Sequence, residues 1–249
     1  MKKIFLTLVI ASGLLSSCTT DTDNVSTVTD YPIIEVLGAD PIFVAQGGTF
    51  TDPGVIAKEG ETVIPTVVTV EGKYRHETTL NTNITDEYTV TYTATNKDGF
   101  TASASRTVIV YKTGDLVNSI EGVYISTVRR NGSLLPASQG SSVNMKYVYI
   151  WKNTNGTYGV SDAIGGWYEL GRHIGNSNTP GGVINAVNIA ANSFTYPGNP
   201  QTNSYFGGTN NITDVNVNAA TKVVTLTSVS VFPPATTYNF VSTLTQVQL

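Results

Sequence analysis

The sequence predicts an all-β protein of two domains set behind a leader. Three observations carry that expectation. Val, Thr, Tyr, Gly and Asn are abundant while helical apolar periodicity is missing. Short runs such as Glu87 to Thr95 alternate strictly between small or aromatic residues and threonine. Turn sequences rich in Asn, Gly and Pro separate those runs.

The chain begins Met1-Lys2-Lys3, a basic start, and continues in the apolar run Ile4 to Ile10, too short to span a bilayer. This is the form of a signal peptide, residues 1–17. It closes at Leu15-Ser16-Ser17-Cys18, where Cys18 is the only cysteine of the chain. That ending resembles the bacterial lipobox. The resemblance implies a lipoprotein whose Cys18 carries diacylglycerol on its thiol and an N-acyl lipid on its amino group. Each buried CH2 contributes about 0.8 kcal/mol, so several acyl chains hold the protein on its membrane permanently. The other reading is a secreted protein with one incidental thiol. No disulfide can form within the chain, so each domain must stand on its own core.

Residues 18–30 are Cys18 followed by Thr, Asp, Ser and Asn with two isolated valines, a composition too polar to fold and suited to a lipidated, flexible spacer. Asp21 and Asp23 lie just behind the cysteine. They resemble the acidic signal that sends Bacteroidota lipoproteins to the outer face of the outer membrane, although they also read as solvated linker acids. Charge then divides the chain. Residues 19–116 hold fourteen acidic against six basic residues, and residues 117–249 four against six. The shift places a boundary near Lys112-Thr113-Gly114-Asp115. Without a basic cluster, nucleic acid is excluded as a partner.

In residues 31–112, Tyr88, Val90, Tyr92 and Ala94 are expected to share a buried face opposite Thr89, Thr91, Thr93 and Thr95. Asn96-Lys97-Asp98-Gly99 turns the chain into a partner strand from Thr101 to Val110. The segment Phe50-Thr51-Asp52-Pro53-Gly54-Val55, the run Tyr88 to Gly99 and Arg106-Thr107-Val108-Ile109-Val110 together resemble the bacterial immunoglobulin-like domain of surface proteins, with Phe50 where that family carries tyrosine. The resemblance implies a β-sandwich and no chemistry. Asp52, Asp86, Glu87 and Asp98 are separated acids, read as solvated turn residues, so no metal is expected.

Residues 117–249 read as eight or so strands in an antiparallel meander closing on itself, a barrel or flattened sandwich. Val143, Met145, Tyr147, Tyr149 and Trp151 are expected on one face of a strand, with Trp151 in the core. Further strands are expected at Val183 to Ile189, Ser193 to Tyr196, Ile212 to Val217, Val223 to Val231 and Tyr238 to Leu249. The least regular segment, Ser161 to Gly175, joins paired glycines, adjacent aromatics, acids and an arginine. Gly122-Val123-Tyr124, then Asp162-Ala163-Ile164-Gly165-Gly166-Trp167-Tyr168-Glu169-Leu170-Gly171-Arg172, Phe206-Gly207-Gly208 and a final Asn218-Ala219-Ala220-Thr221-Lys222 hairpin resemble the C-terminal domain of surface lipoproteins that accompany SusC/SusD-like importers. An immunoglobulin-like domain precedes that module in the family, as here. The resemblance implies a non-catalytic partner of an importer and supplies no catalytic motif.

The chemistry agrees. Asp162 and Glu169 are spaced so that they could act as paired glycosidase carboxylates, but Glu169 can equally pair with Arg172 to buttress the loop, the reading preferred here. His76 and His173 lie in different domains, where they complete no metal triad. Binding asks for less: aromatic faces for sugar rings and polar groups for hydroxyls or amides. Trp167, Tyr168, Asp162, Glu169, Arg172, Tyr205 and Phe206 are the candidate ligand contacts, for a glycan or an oligopeptide, with no cofactor beyond the lipid on Cys18; Trp167 and Tyr168 read equally well as plugs of the core, since adjacent residues in extended chain point opposite ways. The expectation is a non-enzymatic outer-membrane lipoprotein assisting nutrient capture. Pure docking onto the importer and glycan hydrolysis are the alternatives.

Overall fold

The computed structural model describes residues 29–249. The leader, Cys18, Asp21, Asp23 and the spacer to residue 28 lie outside the described residues. Seven strands build the first domain: β1 (Ile33–Val36), β2 (Ile42–Ala45), β3 (Val55–Glu59), β4 (Thr62–Val63), β5 (Thr66–Gly72), β6 (Asp86–Thr95) and β7 (Thr101–Tyr111). They form two sheets, ordered β1-β3-β4 and β2-β7-β6-β5, with β2 parallel to β7.

The expected hairpin is β6 and β7, in register from Asp86↔Val110 to Thr95↔Thr101. Tyr88, Val90, Tyr92 and Ala94 are all buried, and Val108 and Val110 meet them in the sandwich core with Val44. Arg106 shows what the Asp-Pro-Gly segment is for. Its guanidinium is buried and donates to the carbonyls of Leu37 and Gly54, while Asp52 lies 3.8 Å from Nε. Asp52 in turn accepts the Tyr92 hydroxyl at 2.7 Å and the Gly54 N–H at 2.9 Å. A buried cation without such partners would be strongly destabilising, so the segment closes the sandwich around it.

The second domain is one nine-stranded antiparallel sheet of β8 (Gly122–Arg130), β9 (Met145–Lys152), β10 (Tyr158–Val160), β11 (Gly182–Asn188), β12 (Ser193–Thr195), β13 (Gln201–Asn203), β14 (Gly207–Asn218), β15 (Val223–Phe232) and β16 (Thr236–Gln246). Each strand pairs with its neighbour in sequence except β12 and β13, and the first strand, β8, pairs with the last, β16. The meander therefore closes on itself through its two ends and stays open between β12 and β13, giving a curled sheet. Strand β13, short and polar, left no mark of alternation in the sequence.

Inward rows fill the curl: Tyr124, Ser126 and Val128 from β8, Val224 and Leu226 from β15, and Phe240, Ser242 and Leu244 from β16, all buried. The loop after β10 enters the same space. A side chain at Gly165 would collide with Ser242 at 2.2 Å, and the residue has φ +70°, so only glycine can pass there. Ser126 Oγ donates to the Gly165 carbonyl at 2.7 Å, which fixes the loop as a plug.

Strand β9 corrects the expected face. A register shift between Tyr124 and Ile125 leaves Tyr147 opposite no residue of β8, so the strand changes faces there. Met145 points into the core with Trp167, whereas Tyr147, Tyr149 and Trp151 point out toward the first domain. Trp151 is thus half-buried between domains, and Val148 and Ile150 occupy the core in its place.

Candidate functional site

The two domains meet through the outward face of β9. Tyr149 packs with Ile109 and Val123, and its hydroxyl donates to Glu87 Oε2 at 2.5 Å. Tyr74 stacks on Trp151 with ring centroids 6.0 Å apart, and the Arg75 guanidinium lies 5.8 Å from the indole. The indole also lies against its ladder partner Gly159, where an added Cβ would sit 2.4 Å from the ring, so only glycine fits there.

Beside this contact is a cleft of about 500 Å3 walled by both domains. The first domain contributes Lys73, Tyr74 and His76 from the turn after β5, and the second Trp151, Ser161, Glu169, Asn176, Asn178 and Ser204. Asp86 sets the turn. Its buried carboxylate accepts the N–H groups of Tyr74 and Arg75 at 2.9 Å and of Glu87 at 2.8 Å. Gly72 is required next to it, because a Cβ there would meet Asp86 Oδ2 at 2.6 Å. On the opposite wall a π-helical turn, Trp167–Gly171, is closed by the Gly171 N–H on the Gly166 carbonyl at 2.9 Å. Its wider winding sends Trp167 and Tyr168 inward and Glu169 outward.

Lys73 joins the walls. Its Nζ lies 2.9 Å from Glu169 Oε1 and 3.4 Å from Glu87 Oε1. Burial works against the ammonium charge, yet Tyr74, Glu87 and Glu169 outweigh it and hold the pKa above the ordinary lysine range. Burial raises the Tyr74 hydroxyl pKa as well. Asp162 lies below the cleft surface, 5 % exposed, accepting the Ile164 N–H at 2.9 Å through Oδ1 while Oδ2 has no partner. Burial pushes its carboxyl up to about 7, the Ile164 hydrogen bond opposing and the Glu169 charge adding to the shift. Among the described residues no group of three or more His, Cys, Asp or Glu side chains is placed to hold a metal.

The expected ligand residues therefore separate. Glu169 is on the cleft wall, and its partner is Lys73 of the other domain rather than Arg172. Of the two readings open for Trp167 and Tyr168, core plug and ligand contact, their burial fits the core plug: they are 1 % and 4 % exposed and pack on Phe240. Asp162 is likewise buried. Arg172 lies over the Tyr168 ring at 5.9 Å, Phe206 packs on Tyr168 at 4.7 Å, and Tyr205 is exposed. Lys73, Tyr74, His76, Trp151, Asn176, Asn178 and Ser204 were not foreseen. One signal for Trp151 was present: β9 is apolar on both faces, which requires cover on both.

Comparison with known proteins supports the same division of the chain. A family model described as bacterial surface protein, Ig-like domain, matches residues 34–110. A second model, for a C-terminal domain, matches residues 113–246. Comparison with curated proteins gave no match. Among solved structures the fold is similar to the lipoprotein BT2262 from Bacteroides thetaiotaomicron, with a TM-score of 0.58 and 20 % sequence identity, covering 87 % of this chain and 100 % of that one. Since the C-terminal match takes in more than half of the residues, the chain belongs to the family of that C-terminal domain and carries a bacterial surface Ig-like domain in front of it.

Proposed function

We propose that this protein is a non-catalytic lipoprotein, anchored through acylated Cys18 and facing outward from the outer membrane, that captures a glycan or oligopeptide in the interdomain cleft beside a SusC/SusD-like importer. The observation that carries the reading is the cleft itself: about 500 Å3, with ammonium, carboxylate, amide, imidazole and hydroxyl groups from two domains around an aromatic ring. Such a surface suits a ligand dense in hydroxyl or amide groups. The absence of catalysis is supported by the state of the two candidate carboxylates, one neutralised by Lys73 and one buried.

Binding of the purified protein to glycan and oligopeptide panels tests the reading. The expected result is affinity for one panel, weakened about tenfold by Asn178→Ala or Glu169→Gln. Hydrolysis of a panel member, lost in Asp162→Asn, would replace binding with catalysis. Co-purification with transporter subunits but no affinity for either panel would leave a docking role. An unmodified Cys18 thiol by mass spectrometry would remove the anchor.

A further inference from the structure

The inward rows of the C-terminal sheet do not all end in apolar side chains. Beyond Tyr124, Ser126 and Val128, the β8 row ends in Arg130; beyond Ser242 and Phe240, the β16 row ends in Tyr238; the β15 row ends in Phe232. They converge at one end of the curled sheet, above the plug. The Arg130 guanidinium is 4.4 Å from the Tyr238 ring centroid and 5.1 Å from that of Trp167, and Phe232 is 6.0 Å from Tyr238. Arg172, just after the π-helical turn, stands 5.9 Å from the Tyr168 ring. Both arginines bear on one hydroxyl: burial raises the Tyr168 pKa, and Arg130 and Arg172 work against that rise.

Two half-buried guanidinium groups near one tyrosine lose hydration. The aromatic faces offset part of this but cancel no charge. Among the described residues neither arginine has an ion-pair partner. The domain's acids are engaged elsewhere: Glu169 with Lys73, Glu121 with Lys112, and Asp115 in its own turn. Asp162 is buried, and Asp214 is exposed on β14 and pairs with neither arginine. The guanidinium fork matches a carboxylate or sulfate. At the rim Phe206 is half-buried and meets the 65 % exposed Tyr205 edge-to-face, their centroids 4.9 Å apart, which leaves the Tyr205 ring as the exposed aromatic surface on which a sugar ring packs.

We propose that this end of the C-terminal domain is a second binding site, apart from the cleft lining, for an acidic sugar whose carboxylate or sulfate is held by Arg130 and Arg172 and whose ring rests on Tyr205. Titration calorimetry of the purified protein with oligogalacturonate, a sulfated disaccharide, neutral cello-oligosaccharides and phosphatidylglycerol vesicles tests it. At least one acidic sugar binds, with affinity falling as salt rises, and the neutral sugar does not. Arg130→Gln and Arg172→Gln each weaken that binding about tenfold or more, and Arg130→Lys only partly restores it. Tyr205→Ala, at an exposed tip, weakens binding without moving the melting temperature. No affinity for either acidic sugar overturns the proposal. So does equal affinity for the neutral sugar, undiminished binding in the folded arginine variants, or binding to the vesicles in preference to the sugars.

Discussion

Asp162 is the residue whose state most depends on the fold. In the unfolded chain a carboxyl of this kind ionises near pH 4. In the folded protein burial raises it to about 7. From about pH 4 to about pH 7 the folded state keeps a proton that the unfolded state has lost, so stability falls as pH rises through this window and levels off above it. The full fall is on the order of 4 kcal/mol. Asp162→Asn keeps an oxygen acceptor for the Ile164 N–H and removes the titration. Its melting temperature should lose this decline and exceed that of the unaltered protein at pH 8. Parallel pH profiles for the two proteins would show that Asp162 is ionised in the fold.

The turn after β5 illustrates how an element is specified from outside itself. Residues Lys73 to His76 have no apolar periodicity, and His76 has φ +56°. The turn is held by Asp86, a neighbour in space on β6. Asp86→Ala would strand the N–H groups it accepts, at a cost of about 3 kcal/mol. Urea unfolding should show that loss, and hydrogen exchange should quicken at Tyr74 and Arg75 more than in the C-terminal sheet. Uniform exchange across the protein would mean that Asp86 supports the whole sandwich and not this turn. The π-helical turn has a similar dependence, since the plug it ends is held by Gly165 against β8 and β16.

For the whole molecule, the decisive feature is that the domains share an interface of aromatic rings bordered by charge. Lys73 bridges Glu87 of its own domain and Glu169 of the other, and Tyr149 reaches Glu87 in the reverse direction. A double-mutant cycle of Lys73→Ala and Glu169→Gln should give a coupling of about 1 kcal/mol that shrinks with salt. Trp151→Ala removes the ring stacked on Tyr74 and should split one calorimetric unfolding transition into two. A single transition in that variant would assign the coupling to the remaining contacts around Tyr149 and Ile109.

The β content, the β6–β7 hairpin and the Ig-like segment around Asp52 were legible in the chain, because period-two alternation and turn chemistry are local properties. Of the candidate site only Glu169 was legible, standing out in its glycine-rich loop. The rest depended on neighbours distant in sequence. Trp167 read as well for a core plug as for a ligand contact and Trp151 read as core; the tertiary structure put Trp167 in the core and Trp151 between the domains, since the plug enters the curl at Gly165 while β9 changes faces at Tyr147. Alternation states which side chains share a face of a strand. What covers that face is decided only when the sheet curls and a second domain arrives against it.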